Sequence, residues 1–129
     1  MDAVLTIRTK SPEGETRLSY PAEYRMNGGI SRVICRAEEG VTEIYDLFWD
    51  EHGEPLRFRR SGAAVMSFVP GKTTEGKLHT PAGTFPLTVT TTRLAGHRGG
   101  NGERIGAEYL LTVGGEERGN FRVELELRH

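Results

Sequence analysis

The chain predicts an all-β protein: an antiparallel up-and-down barrel, calycin- or lipocalin-like, of about eight to ten strands with little or no helix. Three observations predict it. Glycine-, proline- and asparagine-rich turn signals recur, and the segments between them are about 6 to 12 residues long, which is strand length. Within those segments apolar and polar residues alternate with period two. No window holds apolar residues at three-and-four spacing for more than a turn or two. Strands in sequential hairpins leave two open edges if the sheet stays flat, and a meander that curls shut removes both.

Ten segments carry the pattern: 3–9, 15–26, 30–37, 41–49, 54–60, 63–69, 75–80, 83–94, 103–113 and 118–128. In the second, Leu18, Tyr20, Ala22, Tyr24 and Met26 alternate with Arg17, Ser19, Pro21, Glu23 and Arg25. Pro21 has no amide hydrogen, so this strand bends or lies at an edge there. The third is mixed, with Ile30 and Ile34 set against Val33 and Cys35, and it leaves apolar residues outside under either phase. In the fourth, Val41, Tyr45, Leu47 and Trp49 share one phase while Ile44 and Phe48 take the other, as on a strand covered from both sides. The fifth and sixth face each other across Ser61-Gly62 and end at Pro70-Gly71.

The last three segments alternate most cleanly. Phe85, Leu87 and Val89 oppose Thr84, Thr88, Thr90 and Thr92. Ile105, Ala107, Tyr109, Leu111 and Val113 lead across Gly114-Gly115 to Phe121, Val123, Leu125 and Leu127. Between them Ala95 to Gly102, with four glycines, reads as the longest loop and a mobile one. The remaining turn signals are Pro12-Glu13-Gly14, Asn27-Gly28-Gly29, Glu38-Glu39-Gly40, Asp50 to Gly53 and Pro81-Ala82-Gly83.

At 129 residues the chain is one domain, 1–129, long enough to bury a core without disulfide or metal. Seventeen basic and 18 acidic residues give a net charge of −1, spread along the whole length, so no long-range field favours a nucleic acid. Cys35 stands alone, which excludes an internal disulfide and a cysteine-based zinc site. His52, His79, His97 and His129 lack metal-ligand spacing, so no metal or cofactor is expected. MDAVLTIRTK is not a secretory signal, and no run approaches a membrane span. A cytoplasmic protein is the expectation.

The run RRSGAAVMSFVPGKTT followed by HTPAGTFPLTVTT resembles a bacterial family of YwiB-like proteins, small domains of unknown function with a calycin-like barrel. The similar parts are Arg60-Ser61-Gly62-Ala63, Phe68-Val69-Pro70-Gly71, Pro81 to Phe85 and the threonine-rich strand after it. The chain departs from that family near Leu78, which is aliphatic where an aromatic is common. The resemblance implies a fold. It carries over no activity and no site residues.

A barrel of this size has room for its own side chains or for one small ligand. Arg60 is in phase with Leu56 and Phe58, and Arg93 with Phe85, Leu87 and Val89; both stand at strand ends, where a guanidinium can hold a carboxylate or phosphate in a bidentate fork. The alternative is an arginine turned outward past the rim, the commoner fate of that side chain. Glu43 shares the phase of Val41 and Tyr45 and either pairs with such an arginine or stands exposed as a cross-strand partner. Tyr24, Tyr45 and Tyr109 share the inward phase of their strands and either line a pocket or fill the core.

Two functional readings follow. The first is a binding barrel for a small, partly apolar molecule, an acid being one candidate, anchored by Arg60 or Arg93. The second is a structural or interaction module with a filled core, acting by its outer surface or as a homodimer. An enzyme ranks last, because Ser61 lacks a paired base and no polar cluster emerges from the alternation.

Overall fold

The computed structural model describes residues 1–37 and 40–129, so the turn expected at Glu38-Glu39-Gly40 falls largely outside the described residues. Ten strands follow one another: β1 (Asp2–Ser11), β2 (Gly14–Asn27), β3 (Ile30–Arg36), β4 (Thr42–Trp49), β5 (Pro55–Ser61), β6 (Ala64–Phe68), β7 (Thr73–Thr80), β8 (Gly83–Gly99), β9 (Gly102–Val113) and β10 (Glu116–Arg128). Each pairs antiparallel with its neighbour in sequence. β1 and β10 then close the barrel, from Val4 opposite Arg128 to Lys10 opposite Arg122. The all-β, up-and-down barrel read from the alternation is the observed architecture, with almost no helix.

Alternation lines the lumen with apolar side chains. Leu5, Val33, Leu47, Phe58, Val89, Ile105, Leu125 and Leu127 point inward from seven different strands and are essentially sealed from water. A leucine or phenylalanine buried this way contributes roughly 1.5–3 kcal/mol over its exposed state. The outer face carries cross-strand ion pairs: Arg32 with Asp46 at 2.8 Å, Arg104 with Glu126 at 2.8 Å and Arg122 with Glu108 at 2.6 Å. Among the described residues no helix is long and apolar enough to cross a membrane.

The wall is uneven in height. β2, β8, β9 and β10 run 14, 17, 12 and 13 residues, whereas β3, β5 and β6 run only 7, 7 and 5. At the rim formed by the β1–β2, β5–β6, β7–β8 and β9–β10 turns, the tall wall therefore stands above the short one. Leu18 and Phe85, in the inward phase there, reach past the short wall and stay about two-fifths exposed at 42% and 41%.

Two expectations fail in β8. The glycine-rich stretch from Ala95 is not a long loop: β8 continues to Gly99, β9 begins at Gly102, and Ala95 lies opposite Gly106. Glycine at 96 and 106 lets the two strands approach without side chains between them; a Cβ on Gly96 would press on the backbone of Arg104 and Ile105. Arg93 does not face the lumen. The β8–β9 register shifts between Thr91 and Arg93, a bulge that inserts one residue and reverses the phase beyond it. Thr91 is buried and Arg93 is exposed, while Leu94 and Arg98 take the inner side.

Candidate functional site

At the rim with the uneven wall, four of the sequence-derived residues meet. Arg60, one residue before the end of β5, lies directly opposite Tyr45 of β4, and Glu43 stands two residues before Tyr45 on the same inward face. The Arg60 guanidinium donates to the Glu43 carboxylate from Nη2 at 3.0 Å and from Nε at 3.5 Å. The backbone N–H of Ala63, just past the β5–β6 turn, donates to the same carboxylate at 3.3 Å. Gly62 supplies the space between them, because a Cβ there would overlap the Glu43 carboxylate. Arg60-Ser61-Gly62-Ala63 is thus a carboxylate cradle built from a strand end and a tight turn.

The pair is asymmetric in its exposure. The Glu43 side chain is 5% exposed and that of Arg60 is 33% exposed, so solvent and the lumen see the cation. Burial works against the Arg60 charge, yet the Glu43 carboxylate outweighs it and raises the guanidinium's proton affinity above the ordinary arginine value. Burial pushes the Tyr109 phenol up to about 12 and that of Tyr45 further, with Arg60 opposing both. Both hydroxyls stay protonated at neutral pH and are able to donate. Cys35, opposite Glu43 on β3, is a buried thiol pushed up by burial and by the Glu43 charge.

Behind Arg60 the lumen is not filled. A cavity of about 250 Å³ lies between Arg60, Tyr45, Tyr109 and an apolar wall that includes Met66, Leu87 and Phe121. A chain of rings crosses it: Phe58 stacks on Phe68 at 4.2 Å, Phe68 meets Tyr109 edge-on at 4.9 Å, and Tyr109 stacks on Phe121 at 5.6 Å. Ile7, Leu78, Leu111 and Val113 continue the apolar surface toward the rim. The site offers one cation, two neutral phenols and a mostly apolar pocket.

Tyr24 does not belong to this site. It is buried at the opposite rim, where His129 stacks on its ring at 4.6 Å. A second polar cluster surrounds it that the sequence did not announce. Arg98 Nε lies 3.0 Å from Glu103, whose side chain is 1% exposed, and the Ser31 hydroxyl donates to the same carboxylate. Arg98 reaches the interior only because the bulge reverses the phase of β8 after Thr91. The one trace of this in the sequence is Leu94, an apolar residue out of step with Phe85, Leu87 and Val89. Arg93 instead stands on the outer surface, among Arg104, Glu108 and Arg122. No three metal-ligating side chains come together among the described residues.

The comparisons with known proteins agree with this geometry at the level of fold and family. The family described as "Domain of unknown function (DUF1934)" matches residues 5–125. Among solved structures, the ywiB protein from Bacillus subtilis is similar with a TM-score of 0.66 and 17% identity, over 98% of this chain and 89% of that one. At that identity the likeness speaks for the barrel alone. No curated protein matches. The chain belongs to the DUF1934 family, described as a domain of unknown function.

Proposed function

We propose that the barrel binds one small, partly apolar acid, with the acid group on Arg60 at the rim and the apolar part against the ring chain. The observation that carries this is the exposure of Arg60, though not of its partner Glu43, over an unfilled apolar cavity of about 250 Å³. Glu43 is enclosed and already accepts three donors, two from Arg60 and one from Ala63. Arg60 keeps Nη1 beyond those bonds, and a guanidinium donates to a second carboxylate from a free edge. The polar anchor stands near the rim and the rings lie deeper, so the ligand enters apolar end first. Its size is bounded by the cavity, which is small beside most ligand pockets.

The test is thermal unfolding with a panel of short straight-chain carboxylates, each beside its primary amide. A ligand at 100 times its Kd raises stability by about 2.7 kcal/mol. The reading predicts that the acids raise the melting temperature and the amides do not. Acids and amides acting alike, or neither acting, would remove Arg60 as an anchor.

A second reading, an interaction module working by its outer surface, has one observation in its favour. Ile34 faces Ile44 and Ile30 faces Phe48 on the outside of β3 and β4. Arg57 lies over the Phe48 ring at 4.3 Å, however, so the chain covers much of that patch itself.

A further inference from the structure

From Gly14 to Ser19, β2 has a backbone edge that no described strand of its own chain uses, β1 lying along the other edge. β2 pairs with β1 from Gly14 to Glu23, but with β3 only from Ala22 to Asn27. Among the described residues, Gly14 to Ser19 therefore has one neighbouring strand. Pro21 stands where the second ladder stops, and having no N–H it loses nothing there. Two-residue loops close at Ser11–Gly14 and Asn27–Ile30, which fixes the alternation along β2. Gly14, Thr16 and Leu18 turn their backbone groups to β1, and Glu15, Arg17 and Ser19 turn theirs to the open side. All six residues are exposed.

Of the two charges on this edge, Glu15 has Lys10 at 3.8 Å within the chain, and Arg17 is the one left unanswered among the described residues. Arg17 lies directly opposite Arg8 in the β1–β2 ladder, and like charges at that spacing repel. Arg8 has Glu124 at 4.0 Å, whereas Arg17 makes no ion pair among the described residues. Something negative on the open side of β2 would answer it.

We propose that a second copy of this chain adds its own β2 antiparallel to this edge, about a two-fold axis at Thr16. Glu15 then faces the partner's Arg17, and Arg17 faces the partner's Glu15. Both are positions whose N–H and C=O point across the edge, so each pair exchanges two backbone hydrogen bonds. Neighbouring registers fail. An axis at Arg17 sets two arginines face to face, and one at Glu15 sets two glutamates face to face. An axis at Leu18 puts Pro21, which has no donor, opposite Glu15. Charged residues usually blunt an exposed edge against promiscuous pairing. Here they alternate in sign, and they reject other strands while accepting a self-complementary copy. A contact of one strand pair is weak, and it loosens as salt screens the charges.

Sedimentation velocity on the full chain, up to about 1 mM, tests this, since a pair with a millimolar Kd is substantially formed there. The wild type is expected to dimerise. Arg17→Glu is expected to weaken the dimer about tenfold, and Glu15→Arg/Arg17→Glu to restore it. Thermal unfolding run alongside separates this from misfolding: Arg17→Glu should not lower the melting temperature, because the new carboxylate faces Arg8. Should Arg17→Glu fail to fold, Glu15→Arg alone is expected to weaken the dimer to the same degree. A wild type that stays monomeric, a dimer indifferent to the single substitutions, or a double variant that fails to recover would each overturn the proposal.

Discussion

The carboxylate of Glu43 occupies the space that any side chain at position 62 would need. Gly62 also holds a φ of 156°, at the edge of what other residues adopt. Gly62→Ala must therefore displace a buried ion pair as well as strain its backbone. It is expected to destabilise the fold by about 2 kcal/mol in urea unfolding. A loss under about 0.5 kcal/mol would show that the cradle is loose.

At the other rim Glu103 depends on Arg98. Arg98→Met leaves a carboxylate with a 1% exposed side chain facing no counter-charge, and should cost about 3 kcal/mol. Arg98→Met/Glu103→Gln should regain a good part of that, because the uncompensated charge is gone. Ser31→Ala removes a single hydrogen bond to the same carboxylate and should cost about 1 kcal/mol. Chemical unfolding of the three variants checks the order.

Acid sensitivity should come from the outer ladder. Arg122 holds Glu108 below the ordinary glutamate value of 4.5, and Arg104 does the same for Glu126. A carboxylate lowered in the fold adds stability above its unfolded value and loses it as pH falls through the folded one. Stability should therefore drop below about pH 4.5, with the unfolded chain taking up the extra protons. Arg122→Gln should flatten that slope by removing the share of Glu108. An unchanged slope would place the acid sensitivity elsewhere.

The alkaline side has the opposite sign. Burial raises Tyr109 from 10.0 to about 12, and raises Tyr45 and Tyr24 as well. A phenol raised in the fold contributes stability that is complete below its unfolded value and lost as pH climbs toward the folded one. Stability should fall from about pH 10 upward, and phenolate absorbance of these tyrosines should appear together with loss of the β-sheet circular dichroism. Full ionisation of every tyrosine while the sheet is intact would contradict the burial.

The barrel was legible because its signal is local. Where one face of a strand is dry, period-two alternation states the strand, its phase and its inward residues at once, and Phe121 to Leu127 shows this most clearly. The Arg60–Glu43 pair could be reached by the same rule, since both residues keep the phase of their strands to the end. Arg93 could not. One inserted residue after Thr91 exchanges inside for outside, and a bulge leaves little trace in composition, so the phase of Phe85, Leu87 and Val89 gives no warning that Arg93 turns out and Arg98 turns in. The stretch from Ala95 to Gly102 misled for a related reason. Its glycines serve close approach between paired strands rather than freedom of a loop. The unequal wall heights, which open the cavity and bare the edge of β2, depend on strand pairing between distant residues, and no single segment records them.

The most direct test of the binding account is a calorimetric titration of hexanoate into the wild type and into Arg60→Gln, which keeps polarity at the rim and removes the cation. The account predicts saturable binding at one site per chain in the wild type and at least a tenfold loss in the variant. Equal binding by the two proteins, or no binding to the wild type by any carboxylate small enough for the cavity, would contradict it.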